Sequence, residues 1–397
     1  MYTYHNLKNL LFNNTKTIFL IFLSLFLLTA CQNTKQKENK TINKKIKTNE
    51  VTYDTSNIII DNYAIGCMTI HDKKLIVGYY PNTEQAESAI VRVYNKDTFQ
   101  LKKEIKTEYI NNNTKLISYD NFFYFDNGSS SNIKCYNYDL NVVKKINITT
   151  SNVSYIAINP SLTKISYIRK DSNNYAISYL CENSIDLNSE EIILTINQTK
   201  PNEIFSIDKV YYSNNNYILG FMGQSFQSLE FNSEAKTIYG TIDLSTKKID
   251  FINRENIDVT SNNGIMLIYY KDGYQSDNSK KDNTILIDLN TQNKISIATN
   301  MLNDNLEFSM CSSNSFFEVG YDKNSDSSSY ILKFFVGNNV HTINNDDLNI
   351  PNNSARFVGT FDKENNRLLI YYQAYNESEE KIYQYIKDIT INDENNN

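Results

Sequence analysis

Cys31 stands at the end of an apolar run, in the stretch Phe26-Leu27-Leu28-Thr29-Ala30-Cys31-Gln32, and a segment dominated by Lys, Asn and Thr follows it. A thiolate is intrinsically nucleophilic, so a cysteine at such a boundary suits covalent attack on an electrophile. Other reactive groups are sparse. His71 and His341 are the only histidines after the first thirty residues; they fall in different repeats, and a metal site built on histidine needs neighbours they lack. Neither GxSxG nor HExxH occurs, and Gly-rich phosphate loops are missing. Carboxylates are plentiful, at 45 Asp and Glu, but no spacing says which converge. Asp243 and Asp288 recur at equivalent places before turns, where an aspartate side chain ordinarily bonds nearby backbone amides.

The segment before Cys31 has the parts of an export signal. Lys8 and Lys16 supply a basic region, no Asp or Glu occurs among the first thirty residues, and Ile18 to Leu28 is apolar apart from Ser24. Eleven helical residues rise about 16 Å, roughly half the hydrocarbon thickness of a bilayer, too short for a stable span. Leu28-Thr29-Ala30-Cys31 resembles the lipobox of bacterial lipoproteins: an aliphatic residue, two small residues and the cysteine. The resemblance implies that Leu28, Thr29 and Ala30 are read by the processing machinery and that Cys31 takes a diacylglyceryl group and becomes the new N-terminus. Two acyl chains hold a protein firmly, since each buried CH₂ contributes about 0.8 kcal/mol.

Charge separates the chain into parts. Residues 1–30 carry +2, and residues 31–50 carry six lysines against Glu38 and Glu50; taking both from the whole-chain −6 leaves −12 for residues 51–397. An acidic body lacks the clustered Lys and Arg that nucleic acid requires, so no nucleic-acid partner is expected. The basic stretch 31–55 has no apolar partners to pack with and reads as a disordered tether. At 40% hydrophobic and 13% aromatic residues, the remainder has ample material for a core. The abundance of Asn, Lys and Ile is what AT-rich codons produce, so the Asn clusters are given no functional meaning. Cys67, Cys135, Cys181 and Cys311 lie far apart in apolar or alternating stretches, as small buried hydrophobes do; a Cys135–Cys181 bridge is the alternative.

What must position any site is a repeated β pattern. Hairpins recur at 63–80, 114–126, 154–169, 208–223, 258–270, 307–321 and 356–372. Taking Leu75, Phe122, Ile165, Ile218, Ile265, Phe316 and Leu368 as equivalent, they are 43 to 53 residues apart. A second hairpin follows most of them, at 91–105, 135–148, 240–252 and 285–297. Four strands per repeat match the blade of an all-β propeller, and runs such as LIVGYY and MLIYY suit sheets covered on both faces. The spacing predicts a single propeller of about seven four-stranded blades over 56–393, with six or eight as the alternatives and 394–397 a disordered tail. The last repeat is one strand short, so the lone strand 56–61 is expected to complete it and remove an exposed edge.

The segment AINPSLTKISYIRKDSNNYAISYL, 157–180, is similar to the TolB-type propeller repeat. Ile242-Asp243-Leu244 and Ile287-Asp288-Leu289 resemble the end of that repeat and of quinoprotein-like and WD-repeat propellers. The resemblance implies architecture and carries no functional residue.

Loops joining second to third strands should emerge on one face. Among them Phe226, Leu229 and Phe231, with Tyr274 and Tyr375 in other loops of the set, form a candidate binding face of aromatic anchors in a polar rim. Extension of a strand through Phe226 to Phe231 is the structural alternative. The functional expectation is a lipid-anchored extracytoplasmic lipoprotein of the bacterial cell envelope. Its propeller would serve as a binding or scaffolding module for an envelope protein or glycan, with no cofactor and no catalytic residue assigned. The competing expectation is a propeller hydrolase or lyase acting on glycans or lactones through carboxylates, with calcium.

Overall fold

In the computed structural model the described residues are 43–45, 49–50, 57–83, 88–107, 110–112, 114–126, 132–149, 153–174, 176–197, 349–351, 353–362 and 364–390, together with the strands between 206 and 344 given below. All their strands fall in a compact unit from Thr41 to Asn397.

Two short strands come first, β1 (Asn43–Lys45) and β2 (Asn49–Glu50). Sheet 1 holds β3 (Tyr63–His71), β4 (Lys74–Pro81), β5 (Ala89–Asn95) and β6 (Leu101–Thr107). Sheet 2 holds β7 (Lys115–Ser118), β8 (Phe123–Asp126), β9 (Asn132–Tyr136) and β10 (Val142–Asn147). Sheet 3 holds β11 (Val153–Ile158), β12 (Lys164–Lys170), β13 (Ile177–Ser184) and β14 (Glu191–Asn197). Sheet 4 holds β15 (Ser206–Tyr212), β16 (Ile218–Phe226), β17 (Lys236–Asp243) and β18 (Lys248–Ile252). Sheet 5 holds β19 (Ile257–Asn262), β20 (Ile265–Tyr270), β21 (Asn283–Asp288) and β22 (Lys294–Ala298). Sheet 6 holds β23 (Met301–Ser312), β24 (Ser315–Asp322), β25 (Tyr330–Val336) and β26 (Asn339–Asn344), with β1 added in parallel beside β26. Sheet 7 holds β27 (Ser354–Asp362), β28 (Arg367–Asn376) and β29 (Lys381–Thr390), with β2 antiparallel to β29. Each sheet is otherwise a simple antiparallel meander, so every hairpin expected from the sequence is present.

The apolar runs form strands because a sheet here is covered on both faces. Along β4, Leu75, Val77 and Tyr79 join a core with Leu369 and Tyr371 of sheet 7, whereas Ile76 and Tyr80 join a core with Leu116, Phe123, Phe125 and Tyr136 of sheet 2. Sheet 2 repeats the division: Ile117, Tyr124 and Cys135 pack with Ile158, Ile165, Tyr167 and Cys181 of sheet 3. Ala157, Ile168 and Leu180 then pack with Val210 and Tyr212 of sheet 4. The period of two along each strand thus becomes a stack of sheets in the order 7, 1, 2, 3, 4. First strands of neighbouring sheets lie side by side, β3 by β7, β11 by β15, β19 by β23 and β23 by β27, and β27 returns to β3. Gly78 marks the closest approach: a Cβ there would sit 2.7 Å from Cys67 Sγ and 2.9 Å from Ile110 Cδ1.

Two expectations are revised. The fourth strand of sheet 7 is Asn49–Glu50, not 56–61. Residues 59 and 60 are not in a strand, and Ile58, in the turn at 57–58, is buried against the core shared by sheets 7 and 1, its carbonyl accepting a 2.7 Å bond from Tyr79 Oη. Three consecutive isoleucines do not alternate, so they fill a seam better than an edge. Strands β1 and β2 also lie within the stretch read as a free tether; backbone pairing at sheet edges needs no apolar side chains, which is why polar residues serve there.

Candidate functional site

Among the described residues, exposed aromatic side chains cluster in the β28–β29 hairpin, together with Ile382. Ile382 is 58% exposed, Tyr375 44%, Tyr385 38% and Tyr383 37%. The register pairs Tyr375 with Ile382 on one face of the sheet, and Ala374 with Tyr383 and Tyr372 with Tyr385 on the other. Two-residue alternation puts Tyr372 and Tyr385 on one face, where Tyr385 stacks on Tyr372 at 5.2 Å and Tyr372 on Phe357 at 5.8 Å. This aromatic row begins in the buried core at Phe357 and ends at solvent. The strand β2 pairs only with Thr390 and Ile389, so among the described residues β29 from Lys381 to Asp388 has no strand on its outer side.

The opposite face, which carries Tyr375 and Ile382, holds a polar network. Gln373 Nε2 donates to Tyr371 Oη at 2.9 Å, Tyr371 Oη donates to Gln384 Oε1 at 2.8 Å, and Gln384 Nε2 donates to the Tyr63 carbonyl of β3 at 2.8 Å. Burial pushes the Tyr371 phenol up, so it stays protonated. At the tip, Asn376 Oδ1 accepts from the Ser378 amide at 3.0 Å, and Tyr383 Oη donates to Glu379. The hairpin therefore offers phenol rings and an aliphatic side chain beside hydrogen-bonded polar groups. Such an arrangement binds by stacking and burial.

Of the residues singled out from the sequence, Tyr375 belongs to this hairpin, on the face opposite Tyr383 and Tyr385. It lies near the end of β28, so the expected loop 373–380 shrinks to a turn at 377–380. Phe226 is the last residue of β16, paired with Lys236, and the strand continues where a loop was expected. Leu28, Thr29, Ala30, Cys31, Leu229, Phe231 and Tyr274 lie outside the described residues. Ile382, Tyr383 and Tyr385 escaped sequence reasoning because KIYQYI reads as an ordinary strand. The available signal was the missing strand of the last repeat, which leaves both faces of its third strand near an edge.

Reactive groups are otherwise quiet. His71 stacks flat on Tyr138 at 3.7 Å, joining sheets 1 and 2, while His341 belongs to β26 of sheet 6. Asn95 and Asn137 occupy the turn position held by Asp243 and Asp288 in later sheets. Asn95 Oδ1 accepts from the amides of Asp97 and Thr98, each at 2.9 Å, and Asn137 Oδ1 accepts from those of Asp139 and Asn141. Among the described residues no three His, Cys, Asp or Glu side chains gather to hold a metal ion. Cys67, Cys135 and Cys181 are buried free thiols, pushed up by burial to about 12, 12 and 11.

No family model and no curated protein sequence matches the chain. Solved structures similar to it include β-propellers. The β-propeller domain of the Trilobed protease from Pyrococcus furiosus is 10% identical with a TM-score of 0.37, covering 84% of each chain. The Pan2 WD40 domain of Neurospora crassa is 9% identical with a TM-score of 0.43, over 88% of this chain and 98% of that one. The Cps50 (Swd1) β-propeller domain of Myceliophteria thermophila is 9% identical with a TM-score of 0.48, over 87% of this chain and all of that one.

Proposed function

We propose that this chain is a membrane-anchored extracytoplasmic lipoprotein whose seven-bladed β-propeller is a binding or scaffolding module at the bacterial cell envelope. The wheel is supported by the alternating cores that stack sheets 7, 1, 2, 3 and 4 and by the return of β27 to β3. Anchorage rests on Leu28-Thr29-Ala30-Cys31 and the apolar run before it. The observation that carries the binding role is the exposed β28–β29 hairpin, which presents Tyr383 and Tyr385 on one face and Tyr375 and Ile382 on the other beside neutral, hydrogen-bonded groups. Its partner is an envelope protein or glycan that offers a flat apolar or sugar face to the rings.

A photo-reactive phenylalanine analogue in place of Tyr383 tests the reading in native envelopes. One discrete adduct is expected, absent when the analogue replaces Lys170 on sheet 3. Metabolic labelling with a fatty-acid analogue should mark the wild type and not Cys31→Ser. Absence of any adduct at Tyr383 contradicts the binding role, and equal labelling of Cys31→Ser contradicts the anchor.

A further inference from the structure

The fourth strands of sheets 1, 2 and 3 share an irregularity. In β6, Tyr94 pairs with Leu101 and Val93 with Lys103, so Lys102 is an extra residue. In β10, Tyr136 pairs with Val142 and Cys135 with Lys144, making Val143 the extra one. In β14, Cys181 pairs with Ile192 and Leu180 with Leu194, leaving Ile193. A bulge breaks the two-residue alternation and turns consecutive side chains outward. Leu101 is accordingly 45% exposed, Val142 43%, Val143 44% and Ile192 47%.

These positions are aligned across neighbouring sheets. Lys103 Nζ of sheet 1 donates to the Asp139 carbonyl at 2.7 Å and to Asn141 Oδ1 at 3.0 Å, beside Val142 of sheet 2. Lys144 of sheet 2 pairs with Asp186, in the turn before Ile192 of sheet 3. The aliphatic side chains therefore form one row at the start of three outer strands. Lysines flank it: Lys102 and Lys103 bond neutral oxygens and not carboxylates, and Lys106 and Lys145 are exposed. Of the nearby acids Glu104 is matched by Arg92, Asp139 by Lys74, Asp186 by Lys144 and Glu190 by Arg169, which leaves the exposed Glu191 beside Ile192 against Lys102, Lys103, Lys106 and Lys145. A locally positive, aliphatic rim thus stands on a body whose sequence is acidic.

We propose that this rim, centred on Leu101, Val142, Val143 and Ile192 and flanked by Lys102 and Lys145, rests on an anionic lipid surface. Charge complementarity selects the occupant: lysines meet headgroup phosphates, and separate aliphatic side chains enter between headgroups. A protein interface would instead call for a contiguous apolar centre with aromatic anchors, which the row lacks. The inference deepens the anchored reading, in which an acylated Cys31 brings the body to the bilayer. It also orients the molecule. Turns joining first to second and third to fourth strands share one end, because Lys74 pairs with Asp139 and Lys96 with Asp362 across sheets. The row starts at that end, and the β28–β29 turn lies at the other, so the aromatic hairpin tip stands away from the lipid.

The chain has no tryptophan, so a single introduced one reports alone. The full chain carrying Val142→Trp is mixed with phosphatidylcholine vesicles, or with equal parts of phosphatidylcholine and phosphatidylglycerol. On the anionic vesicles the emission should shift to the blue and be quenched by brominated lipid, and the shift should fade at high salt. Ile382→Trp should keep aqueous emission on both. Adding Lys102→Glu and Lys145→Glu should weaken the anionic response by about tenfold or more. An unchanged Val142→Trp spectrum on anionic vesicles, an equal shift without phosphatidylglycerol, or a shift seen only on adding envelope protein would overturn the proposal; Leu101→Trp repeats the measurement if Val142→Trp fails to fold. Anchoring has a separate readout, sedimentation of the wild type but not Cys31→Ser with plain phosphatidylcholine vesicles, so either idea can fail without the other.

Discussion

Lys96 Nζ lies 2.9 Å from Asp362 Oδ1, and both side chains are almost wholly shielded from solvent although 266 residues separate them. Lys96 belongs to the β5–β6 turn and Asp362 ends β27, so the bond joins the first sheet to the last. Glu364 reaches the same ammonium at 2.6 Å, and Arg367 donates to the Lys96 carbonyl while its guanidinium lies over the Phe99 ring at 5.6 Å. Building a buried ion pair costs desolvation, and removing one partner costs more because the other charge is stranded. The pair therefore contributes selectivity, favouring the arrangement in which sheet 7 meets sheet 1.

Asp388 of β29 is buried beside this seam, 3.6 Å from Arg367 Nε, and neither carboxylate oxygen has a hydrogen-bond partner. Burial pushes its carboxyl up to about 6, with Arg367 opposing and Asp362 adding. The folded value lies above the ordinary 3.8, so folding favours the protonated form. Its contribution is complete below about pH 4 and is lost as pH rises through about 6. Urea unfolding should show the wild type losing about 2 kcal/mol between those values relative to Asp388→Asn, whose profile should be flatter.

Gly78 has Cys67 Sγ and Ile110 Cδ1 within reach of any added Cβ. Gly78→Ala should destabilise the fold by about 1–3 kcal/mol through overpacking. Combining it with Cys67→Ala should cost less than the sum of the two, because the smaller side chain clears the site. Thermal or urea midpoints of the four proteins decide this.

The three described thiols should resist alkylation by iodoacetamide near pH 8, where burial keeps them protonated, and should all react once the protein is unfolded in urea. Mass spectrometry counts the adducts. Ready reaction of Cys135 in the folded protein would mean that sheets 2 and 3 do not share the core described for them.

Much of this fold is legible because the two-residue period and the repeat length are local properties. Leu75, Ile165 and Leu368, set equivalent by spacing alone, are all fully buried at matching places in β4, β12 and β28. Closure was legible only in kind. A missing strand could be counted, but Asn49–Glu50 gives no strand signal of its own, and its place is set by the open edge of β29. The Lys96–Asp362 bond depends on bringing the two ends of the repeat array together, which no window of sequence contains. Tyr375 was found by its type in a polar setting, whereas Tyr383 and Tyr385 look like core residues until the edge of the sheet is known. The bulges at Lys102, Val143 and Ile193 leave no mark in composition, so the exposed row they create emerged from the register.

A charge-swap cycle across the seam is the most direct test that the first and last sheets meet. Lys96→Asp and Asp362→Lys should each lower stability by about 3–5 kcal/mol, since each leaves like charges buried together. The double variant restores an opposite-charge pair and should recover at least half of the summed loss in urea unfolding. Losses that simply add would mean that the two side chains do not face each other, and the closed stack of sheets would have to be abandoned.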